Sequence, residues 1–280
     1  MNSQIGRRTL MQWTASGLAA SGLGGVSSHV FGATAQARAE TVGQSQPSAA
    51  DEPAPLHIAM LVYPSFTALD LIGPQTTFSA IEGAQIHLVY KSLEPVPTDT
   101  GFSLLPTATF ADVPDELEIL FVPGGTAGTL AAMEDQAILE FLREKACRAR
   151  RVTSVCTGSL ILGAAGLLKG YRATSHWSVR HLLPILGADP VDARYVVDRN
   201  RYTGGGVTSG IDFGLNIVAE IAGPERAQLN QLAIEYAPEP PFDSGTPERA
   251  PQAVLALAES IMSPFTEQAQ IVAERAARRV

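Results

Sequence analysis

Only two of the 280 residues are cysteine, Cys147 and Cys156, too few for a disulfide scaffold. A bridge between them is disfavoured, because the nine-residue gap spans a helix end and a whole strand. The chain also lacks any basic cluster. With 20 Lys and Arg against 28 Asp and Glu, its acidic balance opposes nucleic-acid and cofactor-phosphate binding. The five histidines are scattered without a second ligand type at helical spacing, so no metal site is expected. No internal repeat is present.

What is there begins with an unusual front. Arg7 and Arg8 precede a mildly apolar Gly/Ala/Ser-rich stretch, then small-residue cleavage options at Ala33-Thr34-Ala35 or Ala37-Arg38-Ala39. Residues 1–39 therefore look like a twin-arginine export signal, with a periplasmic destination for the folded protein. Gln12, Trp13 and several glycines break the stretch too often for a comfortable membrane span, so no stable insertion is expected after cleavage. Residues 40–55 are polar and Pro-rich and read as a disordered linker. Removing residues 1–39 leaves 17 basic against 28 acidic side chains, a net −11.

From Leu56 onward, short apolar runs alternate with helical patterns. Strands are expected at 56–63, 85–91, 117–122 and 151–155, with a hairpin-like excursion made by segments 96–98 and 102–109. Two short strands, 193–198 and 201–203, pair across Arg199-Asn200. Helices are expected at 68–81, 135–149, 157–165, 178–186, 209–222 and 224–235. A helical tail over 248–278 should break at Pro264. Continuous apolar strands alternating with helices define an α/β class with a doubly wound, mostly parallel sheet flanked by helices. The domain is placed at 56–247, with 248–280 as a C-terminal helical extension.

Cys156 falls at the turn between strand 151–155 and the small-residue helix that follows. The helix N-terminus should favour an anion there and lower the thiol pKa, while Gly158 permits close backbone approach. The alternative is a buried thiol acting as a small hydrophobe. Ligands in doubly wound sheets bind beyond the carboxyl ends of strands. Asp70 lies at such an end, inside the apolar stretch A-L-D-L-I. It can accept a hydrogen bond from the cysteine and move a proton, or merely cap its helix. The Pro123-Gly124-Gly125 turn offers N–H groups as an oxyanion site, or is simply a tight turn. Thr157 can face a ligand with its N–H and hydroxyl, or be an ordinary first-turn residue. His176 is an accessory candidate for general base, though a lone histidine is more often structural. Asp212 reads as a helix cap, and Cys147 as a packing residue.

Five ordered motifs carry a resemblance: L-D-L-I-G-P (69–74), F-V-P-G-G (121–125), T-S-V-C-T-G-S-L (153–160), R-A-T-S-H-W (172–177) and T-G-G-G-V-T-S-G-I-D (203–212). Together they resemble the ThiJ/PfpI superfamily, with its flavodoxin-like, class I glutamine amidotransferase-like fold. The run E-Y-A-P-E-P-P-F-D-S-G-T-P (235–247) is similar to its isonitrile hydratase branch. The resemblance covers residues 56–262. It implies Cys156 as nucleophile, Asp70 as the acid hydrogen-bonded to it, and Thr157 as a ligand-positioning residue. The implied reaction hydrates a small molecule, R–N≡C, to a formamide through a covalent thioimidate, with no cofactor. Protease- and deglycase-like members usually carry Glu where Asp70 stands, and some carry His after the cysteine, so those activities are disfavoured. The export signal departs from the cytoplasmic setting expected of that branch. A homodimer is implied as well.

Two other functions compete. One is a glyoxalase- or deglycase-like cysteine enzyme acting on small dicarbonyls. The other is a non-catalytic ligand-binding sensor, like the sensing half of AraC-type regulators. The latter carry a DNA-binding module of roughly 100 residues, the size of a small domain. The tail from Pro251 has 30 residues, short of that size.

Overall fold

The computed structural model describes residues 55–279. The export-signal and linker assignments, Pro55 apart, lie outside the described residues. The strands are β1 (Leu56–Leu61), β2 (Ala84–Tyr90), β3 (Val96–Pro97), β4 (Ser103–Leu104), β5 (Ala108–Thr109), β6 (Leu117–Val122), β7 (Ala149–Val155), β8 (Arg172–Ala173), β9 (Asp189–Pro190), β10 (Tyr195–Asp198) and β11 (Arg201–Gly204). The helices are α1 (Ala68–Phe78), α2 (Ala127–Glu134), α3 (Gln136–Ala146), α4 (Gly158–Ala164), α5 (Ser209–Ala222), α6 (Pro224–Ala233) and α7 (Gln252–Ala277).

Seven strands form the main sheet in the order β10-β11-β7-β6-β1-β2-β5, parallel throughout except for the β10/β11 hairpin. From β1 the chain winds outward to β2, then returns to lay β6 on the other side of β1. The winding reverses between β1 and β6, so the switch point at which such sheets hold ligands falls at their carboxyl ends, with β7 next to it. Every residue of β6 is buried, as a strand covered on both faces requires. Helices α1, α5 and α6 pack together as one group, and α2, α3, α4 and α7 as another. The expected doubly wound sheet is therefore present.

Three local expectations are corrected. Helix α2 occupies 127–134, where none was expected. The segment after Ser178 is a 3-10 helix over Arg180–Leu186, closed by short-range bonds such as Leu182 N–H to Val179 O at 2.9 Å, with Pro184 inside it. Helix α7 runs through Pro264 without a break. Proline leaves the Ser260 carbonyl without its helical donor, but Ser260 is exposed and water can hydrate that oxygen. The helix is anchored instead by Ala269, Val272, Ala273 and Ala276, all buried.

Candidate functional site

Strand β7 delivers Cys156 to a backbone φ of +58°, a left-handed conformation that costs a residue with a Cβ free energy. Surrounding bonds hold it there. Its N–H donates to Gly204 O at 3.1 Å. Its carbonyl accepts the hydroxyls of Ser159 (3.3 Å) and Ser175 (3.1 Å) and the His176 N–H (3.4 Å). Helix α4 then starts under the neighbouring turn. A Cβ on Gly158 would lie 2.4 Å from Val122 O, so only glycine lets the elbow sit so close to the end of β6.

Asp70 lies in the first turn of α1 and is fully buried. It does not cap the helix. Thr67 holds the N-cap position, and the Ala68 N–H is taken by Asp99 Oδ1 at 3.1 Å from the β3–β4 segment. Asp70 Oδ2 accepts the Gly124 N–H at 2.9 Å, while Oδ1 has no partner of full hydrogen-bond geometry. Burial pushes the Asp70 carboxyl up to about 7, against the opposing hydrogen bonds from Gly124 and the nearby Cys156 thiol.

The expected lowering of the thiol pKa is not found. Burial, and next the charge of Asp70, push Cys156 well above the ordinary thiol range, outweighing hydrogen bonding from Thr157. Helix α4 has only seven residues, and its field does not offset desolvation beside a carboxylate. The thiolate thus forms when its proton has somewhere to go, and the half-free carboxyl of Asp70 is the acceptor at hand.

The Pro123–Gly125 turn and Thr157 converge on this pair, though not with free donors. The Gly124 N–H is bound to Asp70, and the Gly125 N–H donates to Thr157 Oγ1 at 2.9 Å. Neither offers the exposed N–H expected of an oxyanion site. A Cβ on Gly124 would lie 2.6 Å from Thr157 N and 2.8 Å from Asp70 Oδ2, so this glycine lets acid and elbow meet. The Thr157 hydroxyl donates to Gly125 O at 2.7 Å and does not face an open pocket.

His176 reaches Cys156 only through its backbone N–H. Its Nδ1 is 2.9 Å from Ser178 Oγ, and no hydrogen bond links its ring to Cys156. Asp212 is not a cap either: it pairs with Arg194 and accepts the Tyr236 hydroxyl at 3.0 Å. Cys147 is exposed at the end of α3, and both cysteines are free. Two residues missed by sequence reasoning belong to the site. Tyr63 and Thr129, both buried, join Thr157 through their hydroxyls. Thr129 lies on α2, the helix whose pattern gave no signal. Beside the elbow, a cavity of about 350 Å³ is lined by residues including Ser175, His176, Trp177, Val207 and Thr246. Among the described residues no group of three or more His, Cys, Asp or Glu converges to hold a metal.

Strand order, strained elbow and facing acid define an α/β protein that holds a cysteine and a carboxyl together at the switch point of its sheet. The chain belongs to the DJ-1/PfpI family, whose model matches residues 56–220. The isonitrile hydratase of Pseudomonas putida is 51% identical over 225 residues, covering 80% of this chain and 98% of that protein. The crystal structure of a ThiJ/PfpI family protein from Pseudomonas syringae superposes with a TM-score of 0.77 at 51% identity. That match covers 79% of this chain and 91% of the other. Deglycase PfpI of Pyrococcus furiosus is 30% identical over 146 residues, 52% of this chain and 87% of its own.

Proposed function

We propose that this chain hydrates isonitriles to N-substituted formamides. The observation that carries the reading is the buried Cys156–Asp70 pair, in a chain 51% identical to an isonitrile hydratase along nearly all of that protein. Asp70 takes the thiol proton as Cys156 Sγ bonds to the terminal carbon of R–N≡C. The same proton passes to that carbon, giving the thioimidate R–N=CH–S–Cys156. Water then adds to the carbon while Asp70 accepts one of its protons and relays it to nitrogen. The C–S bond breaks, the remaining hydroxyl proton returns to sulfur through Asp70, and R–NH–CHO leaves. A carboxyl with a pKa of about 7 suits both directions of proton transfer near neutral pH.

The test assays residues 40–280 with a simple alkyl or aryl isonitrile. Formamide is expected from wild type and none from Cys156→Ala. Asp70→Asn should lose about 10²- to 10⁴-fold, the usual contribution of a positioned acid or base. Turnover of methylglyoxal without isonitrile turnover overturns the reading in favour of dicarbonyl chemistry.

We further propose export through the twin-arginine route to the periplasm, supported by Arg7-Arg8 and the small-residue stretch after them. No described helix is long and apolar enough to cross a membrane. Replacing both arginines with lysine should retain the protein in the cell; continued export refutes the route. A homodimer is supported by apolar residues left exposed on α6 and α7, among them Leu229, Leu232, Val254, Leu257 and Ile261. Light scattering that gives a monomer at micromolar concentration refutes it.

A further inference from the structure

Behind the elbow runs a chain of buried hydroxyls whose protons can be counted. Tyr63 donates to Pro123 O at 2.8 Å, which uses its only proton. Thr157 donates to Gly125 O at 2.7 Å, which uses its own. Thr129 Oγ1 lies between them, 3.2 Å from the Tyr63 hydroxyl and 2.8 Å from Thr157 Oγ1. Both contacts require Thr129 to be the donor, and it has one proton for two claimants. The shorter contact takes it, so Thr129 donates to Thr157. Thr157 Oγ1 is then saturated: it accepts from Thr129 and from the Gly125 N–H while donating to Gly125 O.

That saturation has a consequence at the reacting pair. Thr157 grips both polar groups of Gly125, and the preceding residue, Gly124, gives its N–H to Asp70 Oδ2. The order of contact is Thr129, Thr157, Gly125, Gly124, Asp70. The residues at both ends are fully buried, so water cannot replace a lost link.

We propose that Thr129 is a positioning residue for the Cys156–Asp70 pair, acting through Thr157 and the Pro123–Gly125 turn. This rests on the reading of Cys156 as nucleophile and Asp70 as its proton partner. Thr129 touches neither substrate nor reacting atoms; it fixes where the Gly124 N–H points and hence how strongly the Asp70 carboxylate is held. Loosening that bond disfavours the carboxylate, so Asp70 ionises at higher pH. The other groups acting on Asp70 are the Cys156 thiol and the Asp99 carboxylate, and Tyr63 lies within their field. No hydrogen bond links Thr129 to Cys156 or Asp99, whereas its contact with the Tyr63 hydroxyl at 3.2 Å is one that Tyr63→Phe controls for.

The experiment follows alkylation of Cys156 by iodoacetamide across pH, read on the Cys156 peptide by mass spectrometry so that exposed Cys147 does not interfere. It needs no isonitrile turnover. In wild type the rate should rise with ionisation of Asp70 near pH 7. Thr129→Val, similar in shape and without the hydroxyl, should move the rise about one unit to higher pH, the scale of one net hydrogen bond, and so lower the rate at pH 7 about fivefold. Thr129→Ser should restore both. Tyr63→Phe removes the competing claimant and should move the rise less than Thr129→Val, although it lowers thermal stability by orphaning Pro123 O. A folded Thr129→Val with the wild-type profile, or a Ser variant that does not rescue it, overturns the proposal. If Thr129→Val does not fold, Thr157→Val breaks the same bond from its other end, and a wild-type profile there overturns it equally. Failure of isonitrile turnover with the alkylation profile as stated refutes the substrate and leaves the role of Thr129 standing.

Discussion

The two ends of the parallel sheet carry cavities of similar size and opposite character. At the amino end, about 440 Å³ is lined by His57, Glu116, Glu118, Arg148 and Arg150, among others. There, buried Glu118 is answered by Arg150 and Arg151, and exposed Asp115 by Lys145 and Arg148. At the carboxyl end, the cavity of about 350 Å³ adjoins an elbow where an acid oxygen is buried without a full partner and a thiol is held in a strained backbone. Volume therefore does not distinguish a reactive site from a solvated charged face. The distinction is whether buried titratable groups are satisfied. At the amino end they are paired, and that free energy goes into the fold. At the carboxyl end the fold bears the cost of an unsatisfied acid, which is worth retaining only where a proton must move.

The largest effect that can break this comparison is steric. Gly158→Ala places a Cβ 2.4 Å from Val122 O and 2.7 Å from Pro123 O, both backbone atoms that cannot swing aside. A loss of about 3 kcal/mol or more is expected in urea unfolding, with the elbow displaced and Cys156 inactive. A stable, active Gly158→Ala would mean that the turn has slack the structure does not show.

Next comes Asp70, where stability and activity should move in opposite directions. Its folded pKa, about 7, is raised above an unfolded value of about 3.9. The contribution of Asp70 is therefore fully present below about pH 4 and is lost as pH rises through about 7. The accumulated loss is at most roughly 4 kcal/mol above neutrality. Asp70→Asn, uncharged at every pH, should be more stable than wild type at pH 8 by a few kcal/mol, and this gain should vanish near pH 4. Denaturant titrations at the two pH values check it. A destabilised Asn variant at pH 8 would show that the carboxylate is better satisfied than its geometry indicates.

These contrasts also mark where sequence reasoning stopped. The runs at 56–63 and 117–122, apolar but for His57 and Glu118, lack the alternation of a half-exposed strand, so the buried sheet is legible. The helix expected at 209–222 is found with the same bounds. Cys156 and Asp70 were legible as a pair because each interrupts a pattern at a strand end. Helix α2 was not, because its small and apolar residues show no clear periodicity; it lies folded against α4 and α7. Thr129 was lost with it. The thiol shift runs opposite to the sequence-based expectation for a related reason. A helix N-terminus is visible in sequence, but the desolvation that outweighs it is set by residues distant along the chain. The same holds at Pro264, where a local rule expected a break and long-range packing of the last turns kept the helix whole.

The smallest expected effect lies at the amino end. His57 Nδ1 and His87 Nε2 approach to 3.2 Å across adjacent strands, a second titratable pair on the same sheet. Burial, and then the neighbouring His57, lower the His87 pKa. A lowered histidine contributes stability that is present above its unfolded pKa of about 6.5 and is lost as pH falls through the folded one. His87→Gln should therefore flatten the fall in melting temperature between pH 7 and pH 5. At pH 8 it should change stability by no more than about 0.5 kcal/mol, as for a partly exposed surface substitution. Isonitrile turnover should be untouched, because no proton at this end is needed by the pair at the other. If His87→Gln reduced turnover as Asp70→Asn does, the two ends of the sheet would be coupled and burial at the crevice alone would not account for the site.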